Sequence, residues 1–271
     1  MPELPEVETT KRGITPHLLG QTILNTHVYQ PKLRWPVDLD LTQKLQNQTV
    51  TGIQRRAKYI LIQLEHGSLI VHLGMSGSLR LVERGTARLK HDHIECELAN
   101  GLSLRLHDPR RFGAFIWTDT PPKQHPLLLK LGVEPLDEAF SAQMLHPLLL
   151  KRKKAIKPTL MDAQLVVGIG NIYASEALFL AGIDPRRPSH SLSQHDTQNL
   201  VTHIKSLLQQ AIQQGGTTLR DFISPEGRPG YFQQTLNVYG RSGKPCHVCG
   251  TPIEHITQAQ RRSFYCLLCQ R

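Results

Sequence analysis

The sequence has no long apolar run, few cysteines and fewer acidic than basic residues. No uninterrupted apolar stretch approaches the roughly 18 to 20 residues that a membrane-spanning helix needs, so we expect no membrane association. The start of the chain has neither a basic segment nor an apolar core of the kind found in secretion signals, which predicts a cytoplasmic protein. Five cysteines, four of them in the last 26 residues, do not resemble a disulfide scaffold.

The charge imbalance indicates a polyanionic partner. Lys and Arg number 32 against 22 Asp and Glu, which gives a net charge of +10 and a pI near 9.6. Nucleic acid is the commonest such polyanion, although charge alone does not separate DNA from RNA. At 271 residues the chain is about as long as one hydrophobic core grows, so two domains are expected.

The first half of the chain is predicted to be one helix followed by strands. Leu4, Val7, Ile14 and Leu18 lie approximately on one face of a helix. The region that follows contains short apolar stretches separated by glycine-containing turns, at Ile60–Ile62, Leu69–Val71 and Leu79–Leu81.

The clearest strand pair is a hairpin. Ile94–Leu98 and Leu102–Leu106 alternate between apolar and polar residues on either side of Asn100-Gly101, a dipeptide typical of type I′ turns. Cys96 falls on the apolar side of its strand, and we interpret it as a core residue rather than a reactive thiol.

Proline content and helical periodicity characterise the second half. Asp119–Pro135 contains four prolines without sustained periodicity and is predicted to connect two domains. Beyond it, Ser141 can cap a helix that runs through Leu150, and Ser193 can cap another that ends at Gly215-Gly216. The second half is therefore predicted to be mainly α-helical.

The first residues combine an amine with a carboxylate. A small residue after Met1 allows removal of the initiator, so we expect the mature chain to begin with the secondary amine of Pro2, followed by Glu3. An α-amino group titrates near about pH 8, so a useful fraction is unprotonated at neutral pH and can attack a sugar carbon. The alternative is an ordinary helix start, with Pro5 as its first residue and Glu6 in the first turn.

Lys58 is a further candidate. It shares strand parity with Ile60, Ile62 and Leu64, so it is predicted to lie at one end of an otherwise apolar strand face and to project its ammonium group into a cleft. The alternative is a lysine that extends from a strand end to solvent.

A glycine-containing turn precedes a predicted helix in the second half. The turn contains Gly168 and Gly170, and the helix opens at Asn171. Free N–H groups at such a helix start, with the partial positive charge of the helix dipole, form a phosphate site, and the basic residues of Lys151–Lys154 and Lys157 lie just upstream. An Asn at this position is also a common helix cap with no role in binding.

The last segment carries two Cys-x2-Cys pairs. Sixteen residues separate Cys246 and Cys249 from Cys266 and Cys269, and this spacing is typical of a site for one Zn²⁺ ion. Four cysteine ligands leave no open coordination position, so the zinc would be structural. An iron–sulfur cluster or incidental cysteines are the alternatives. Between the pairs, Arg261 is placed to contact a phosphate backbone, although a solvated arginine is the default interpretation.

Six regions, in order along the chain, carry a family resemblance. They read PELPEVE, HLGMSG, DPRRFG, VVGIGNIYASEALF, QGGTTLRDF, and CHVCG with AQRRSFYCLLCQ. Together they resemble the bacterial formamidopyrimidine-DNA glycosylase family over essentially the whole chain. The resemblance implies an α+β protein with an N-terminal β-sandwich flanked by helices (residues 1–130), a helix-two-turns-helix domain (137–235) and a four-cysteine zinc finger (236–271).

The resemblance also implies a function. It implies a monomer that binds damaged double-stranded DNA, excises oxidised purines such as 8-oxoguanine and formamidopyrimidines, and cleaves the strand by β,δ-elimination in base excision repair. Such a protein would be associated with the bacterial nucleoid while it acts.

The resemblance assigns catalytic roles to five residues. Pro2 would attack C1′ of the damaged nucleotide and form a Schiff base, and Glu3 would protonate the ring oxygen as the sugar opens. Glu6 would support the site. Lys58 would assist the β-elimination, and Arg261 would assist the δ-elimination.

Two groups of DNA contacts follow from the same resemblance. Met75, Arg110 and Phe112 would fill the gap left by the extruded base, with Arg110 on the orphaned partner base; without the resemblance, Met75 and Phe112 would be interpreted as core residues. The residues expected on the backbone or the lesion strand are Lys58, His72, His91, Lys153, Asn171 and Arg261, with Lys154 an alternative to Lys153. Ile223–Tyr231 matches the loop that closes over the base.

Two other functions compete with this one. An endonuclease VIII-like relative would share the fold and the nucleophile but prefer oxidised pyrimidines; Leu4 and Arg110–Phe112 favour the purine-directed branch. A non-catalytic zinc protein that binds DNA or RNA is the other class. A protein of that class would have no need for Pro2 and Glu3 together with Lys58.

Overall fold

The computed structural model describes residues 1–215 and 236–271, which divide into two compact units. One unit is built mainly on Met1–Lys130, and the other on Leu131–Gln213 with residues 236–271. The domain limits expected at residues 130, 137 and 235 stay predictions. The loop predicted at Ile223–Tyr231 lies outside the described residues.

The first unit begins with a helix and continues mainly as strands. Its elements are α1 (Leu4–Leu18), β1 (Ile23–Val28), α2 (Leu41–Leu45), β2 (Val50–Arg56), β3 (Tyr59–Leu64), β4 (Ser68–His72), β5 (Ser78–Glu83), β6 (Asp92–Leu98), β7 (Leu102–His107), β8 (Ala114–Thr118) and the short α3 (Pro126–Leu129). The predicted helix and the predicted strands are confirmed.

Two four-stranded antiparallel sheets share one core in this unit. Their strand orders are β1-β6-β7-β5 and β2-β3-β4-β8. One cluster of buried side chains draws on both sheets and on α1, and it includes Ile14, Ile62 and Leu104. The unit is therefore a β-sandwich with a flanking helix, as the family resemblance implies.

The hairpin of β6 and β7 is confirmed, but its turn differs from the prediction. A type I′ turn needs positive φ at both central residues, and only Gly101, at φ +83°, has it. The Gly101 N–H donates to the Leu98 carbonyl at 3.2 Å, so the loop has three residues and closes with a glycine bulge. Cys96 is 2% exposed, and burial raises the pKa of its thiol to about 12, which confirms a core cysteine.

The second unit is mainly helical. Its elements are α4 (Ala142–Leu150), α5 (Ile156–Leu160), α6 (Asn171–Leu180), α7 (Gln194–Gln213), β9 (Glu254–Gln258) and β10 (Arg261–Tyr265), the last two forming an antiparallel hairpin. The Ser141 hydroxyl accepts the Met144 N–H at 3.2 Å, and the Ser193 hydroxyl accepts the Asp196 N–H at 3.0 Å. Both predicted caps are confirmed. No helix in residues 1–215 or 236–271 has the length and hydropathy needed to cross a membrane.

Candidate nucleic-acid interface and zinc centre

The start of the chain is packed into the first unit. Pro2 is buried and Glu3 is only 2% exposed. The carboxylate of Glu6 accepts the backbone N–H of Glu3 at 2.8 Å, which fixes the peptide that follows Pro2 on the first turn of α1. The helix begins at Leu4, one residue before the predicted start, so Pro5 is its second residue and not its first. Two carboxylates thus lie at the positive end of a helix dipole, where negative charge is stabilised.

Lys58 lies in a turn rather than on a strand. Arg56 pairs with Tyr59, so Ala57 and Lys58 form the two-residue connection between β2 and β3. The prediction that Lys58 occupies the end of the apolar face of a strand is therefore wrong, because β3 starts one residue later. The lysine is half-buried, and its position depends on the conformation of the turn.

His72 is the last residue of β4 and contacts the strand that follows this turn. Its ring lies 4.9 Å from the ring of Tyr59, the residue that it pairs with across the sheet. Burial, followed by the positive charges of Lys58 and Arg34, lowers the pKa of His72 to about 4. The Gly74 N–H donates to His72 Nδ1 at 2.9 Å, so the neutral ring carries its proton on Nε2. His72 can therefore donate one hydrogen bond to a phosphate but supplies no charge at neutral pH.

The loops that carry Met75 and Phe112 touch one another. Gly74 adopts φ +66°, and a Cβ there would lie 2.6 Å from the backbone nitrogen of Gly113, so only glycine fits this contact. Met75 and Phe112 are each 40% exposed, and the Arg110 guanidinium lies 4.9 Å above the Phe112 ring. These exposed apolar side chains are not core residues.

Asp108 holds the base of the loop that carries Arg110 and Phe112. It is fully buried, and its Oδ2 accepts the Gly113 N–H at 2.7 Å. Its backbone N–H donates to the carbonyl of His91 at 2.9 Å, and its carbonyl lies 2.8 Å from Nε2 of His93. His91 is thereby tied to the same loop, which we call the wedge loop (residues 108–113).

Removing the Asp108 carboxylate is expected to loosen the wedge loop. Asp108→Ala leaves the Gly113 N–H buried without an acceptor, which should lower the free energy of unfolding by about 1 to 3 kcal/mol. Asp108→Asn keeps a carbonyl oxygen for this N–H and is the matched control, with a smaller expected loss. Urea unfolding of both variants measures the difference. Equal losses of stability would show that the hydrogen bond from the Gly113 N–H does not hold the wedge loop.

Asn171 is joined to the zinc-binding hairpin in the second unit. It is the first residue of α6, and Gly170 occupies the cap position, so the alternative of a capping asparagine is wrong. The Asn171 side chain accepts a hydrogen bond from Lys157 Nζ at 2.6 Å and donates to the carbonyl of Arg262 at 3.0 Å. Lys157 is 1% exposed and also donates to Ser263 Oγ at 2.8 Å. A buried cation thus orients the side chain expected to meet a phosphate.

The tip of the β9–β10 hairpin carries Arg261. Ala259 and Gln260 form its two-residue turn, and both have positive φ, at +47° and +61°. This conformation is costly for residues other than glycine and aims the exposed Arg261 from the end of the hairpin. A pocket of about 280 Å³ beside it is lined by Arg261, Lys154, Lys157, Pro158, Met161, Asp162, Gln258 and Ala259. Lys153 and Lys154 are both exposed, and of the two only Lys154 lines this pocket.

The four cysteines of the last segment meet at one point. Their Sγ atoms all lie within 4.8 Å of one another, with 3.9 Å between Cys246 and Cys269 and 3.4 Å between Cys249 and Cys266. Tetrahedral zinc with Zn–S bonds of about 2.3 Å requires sulfur atoms about 3.8 Å apart. The donor set and its spacing fit one structural Zn²⁺, with all four positions filled by protein.

Glu176 is a buried residue to which the sequence assigns no role. Its carboxylate accepts the backbone N–H groups of Asn237, Val238 and Tyr239, each at 2.8 Å, and so fastens the segment that leads to the zinc centre. The sequence contains a feature that could have identified Glu176. Helix α6 is apolar on nearly all sides, and a lone carboxylate in such a helix must be hydrogen-bonded.

Three family models match the chain. The formamidopyrimidine-DNA glycosylase N-terminal domain matches residues 1–115, the H2TH domain of the same glycosylases matches residues 131–223, and a zinc finger found in FPG and IleRS matches residues 243–271. A formamidopyrimidine-DNA glycosylase from Pseudomonas syringae pv. tomato is 55% identical over 271 residues, with all of both chains covered. The chain belongs to the formamidopyrimidine-DNA glycosylase family. A relative of the same name from Hydrogenovibrio crunogenus is 52% identical over 100% of this chain and 97% of its own.

Solved structures of the family agree with this fold. The MutM (Fpg) protein from Thermus thermophilus has a TM-score of 0.90 and 37% identity, with 99% of this chain and 98% of that one covered. A complex between a point mutant of Lactococcus lactis Fpg and DNA containing Fapy-dG has a TM-score of 0.93 and 35% identity, with both chains fully covered. The predicted family, the α+β fold with its helix-two-turns-helix domain, the zinc site and membership of a DNA glycosylase family are confirmed. The roles of the individual site residues stay predictions.

Proposed function

We propose that this protein is a bifunctional DNA glycosylase and abasic-site lyase that removes oxidised purines, including 8-oxoguanine and formamidopyrimidines, from duplex DNA. The observation that carries the proposal is the fixed start of α1. There Glu6 holds the peptide that follows Pro2, and Glu3 lies beside the amine that removal of Met1 would release. Among relatives, a Lactococcus lactis Fpg has been solved with DNA that contains an abasic site. The enzyme acts as a monomer and is associated with the bacterial nucleoid while it acts.

The chemistry begins at Pro2. Its nitrogen attacks C1′ of the damaged nucleotide, the bond from C1′ to the base breaks, and the base leaves with the bonding electron pair and a proton. Glu3 protonates the ring oxygen as the sugar opens, which gives an iminium at C1′. The iminium acidifies the C2′ proton, and loss of this proton expels the 3′ phosphate in the β step. Loss of the C4′ proton from the unsaturated iminium that results then expels the 5′ phosphate in the δ step. Lys58 assists the first elimination and Arg261 the second.

The remaining contacts keep the damaged nucleotide outside the helix. Met75 and Phe112 insert into the base stack, and Arg110 hydrogen-bonds the orphaned base. His72, His91, Asn171 and either Lys153 or Lys154 contact the lesion strand. The contact between the Met75 loop and the wedge loop supports this assignment, because two adjoining rigid loops can enter one gap together.

An endonuclease VIII-like preference for pyrimidines is the alternative to test. Duplexes of one sequence, each with a single 8-oxoguanine, formamidopyrimidine or oxidised pyrimidine, are incubated with excess enzyme, and base release and strand cleavage are followed separately. We expect cleavage of the two purine substrates to be faster by at least an order of magnitude. Preferential cleavage of the pyrimidine duplex would contradict the purine assignment while leaving the lyase chemistry in place.

Arg261 and His72 are expected to affect DNA binding in different ways. A cation that neutralises one phosphate contributes about 0.9 to the slope of log K against log salt, so Arg261→Ala should reduce the slope by about that amount. His72 is neutral at pH 7 because its pKa is lowered to about 4, so His72→Gln should weaken binding without changing the slope. Affinities measured at low and at near-physiological salt concentration test both statements. An unchanged slope for Arg261→Ala would show that Arg261 does not neutralise a phosphate.

A further inference from the structure

A buried carboxylate on α1 joins this helix to β2. Glu8 is 9% exposed and receives three cations. Its Oε1 accepts from Lys11 at 3.0 Å and from Arg12 at 2.8 Å, both on α1, while its Oε2 accepts from Arg55 Nε at 3.1 Å. Burial alone would raise the pKa of Glu8, but the hydrogen bonds from Lys11 and Arg12 and the nearby charges lower it. The carboxylate is therefore charged at neutral pH.

Arg55 makes a second contact that reaches the turn after β2. Its Nη1 donates to the backbone carbonyl of Ala57 at 2.9 Å. Ala57 adopts φ +54°, a conformation that residues with a Cβ avoid unless their surroundings impose it. Lys58 follows directly and is the second residue of the turn. One guanidinium thus links the carboxylate of α1 to the strained residue that precedes Lys58.

We propose that Glu8 and Arg55 are positioning residues for Lys58. Arg55 holds the Ala57–Lys58 turn in its strained conformation, and Glu8 anchors Arg55 to the helix whose first turn carries Glu3 and Glu6. The pair thereby sets the place of the Lys58 ammonium relative to the amine of Pro2. The inference rests on the proposed function, since Lys58 acts there in the β-elimination that removes the C2′ proton and breaks the C3′–O bond.

The chemistry of the guanidinium explains why an arginine is used. Its planar fork presents several N–H donors in fixed directions, so it can donate to a carboxylate and to a carbonyl at once. A lysine at this position can pair with Glu8 but has a single nitrogen at the end of a flexible chain. Arg55→Lys therefore keeps the charge and is expected to release the Ala57 carbonyl.

Single-turnover assays of Arg55→Lys on a duplex with one abasic site test the inference. Strand cleavage should slow about ten-fold or more, because a displacement of about 1 Å in a reacting group costs up to about 100-fold. The adduct trapped with borohydride should still form, because the amine of Pro2 is unaltered. Adding Ala57→Gly should restore part of the cleavage rate, since glycine adopts positive φ without the arginine to hold it.

Matched controls separate positioning from general stabilisation. Lys11→Met removes another cation from Glu8 but leaves the link between Arg55 and Ala57, and it should cleave at the wild-type rate. Glu8→Gln keeps the shape of the side chain and should slow cleavage less than Arg55→Lys. Unfolding midpoints by circular dichroism are measured for every variant.

Each outcome decides between the proposals. Wild-type cleavage by Arg55→Lys, or a slow variant whose rate Ala57→Gly does not improve, would overturn the positioning role while leaving the proposed function intact. A wild-type protein that forms no adduct and does not cleave abasic DNA would overturn the proposed function and this inference with it.

Discussion

A protein that retains Met1 is expected to bind a lesion-containing duplex normally but to form no covalent adduct with it. With Met1 present, the nitrogen of Pro2 belongs to a peptide bond and has no lone pair available for attack on C1′. The residues proposed to contact DNA are unchanged. Strand cleavage should therefore fall by on the order of 10³ or more while the Kd changes little.

A protein that keeps Met1 can be produced by inserting a bulky residue between Met1 and Pro2, which prevents removal of Met1. Mass spectrometry then identifies the N-terminal residue. Pro2→Gly with Met1 removed is the matched control, because it keeps a free α-amine that can still form an imine. Cleavage by the blocked protein at the wild-type rate would exclude the terminal amine as the nucleophile.

Loss of the zinc site is expected to weaken DNA binding strongly. Cys249→Ser removes one of four thiolates that lie within 4.8 Å of one another, and structural zinc contributes directly to folding of the segment that binds it. The β9–β10 hairpin would lose its anchor, and with it Arg261 and the carbonyl of Arg262 that holds Asn171. Affinity for damaged duplex should fall at least about 100-fold, because several contacts are lost together.

The sandwich unit gives the control for this variant. Its core cluster contains none of the four cysteines, so the β-rich unit should stay folded by circular dichroism while metal analysis finds no zinc. A chelator applied to the wild-type protein should reproduce the effect. If DNA binding survives complete loss of the metal, the zinc finger does not anchor the protein on DNA.

The sequence predicted the zinc ligands and the strands because both depend on local patterns. The Cys-x2-Cys spacing brings the thiols of each pair together, and the alternation of apolar and polar residues in Ile94–Leu98 is typical of a strand. The turn type at Asn100-Gly101 could not be predicted in the same way. Asn100 donates from its side chain to the carbonyl of His17, a residue of α1 that is distant in sequence, and does not adopt positive φ.

The supporting residues of the site could not be predicted because their partners are far away along the chain. Glu176 accepts hydrogen bonds from residues about sixty positions later, and Glu8 meets Arg55 across 47 positions. Lys58 shows the same limit on a smaller scale. Because it shares strand parity with Ile60, Lys58 was expected on the same strand. Ala57 has positive φ and the chain turns between Arg56 and Tyr59, so Lys58 lies in the turn.

Borohydride trapping with the mature wild-type protein tests whether the nitrogen of Pro2 is the nucleophile. The protein, with Met1 shown to be absent, is incubated with a duplex that contains one 8-oxoguanine opposite cytosine, and the mixture is reduced and separated under denaturing conditions. We expect one covalent protein–DNA species, in which peptide mapping places the DNA on Pro2. No adduct from a protein that binds this duplex, or an adduct on a lysine such as Lys58, would contradict it.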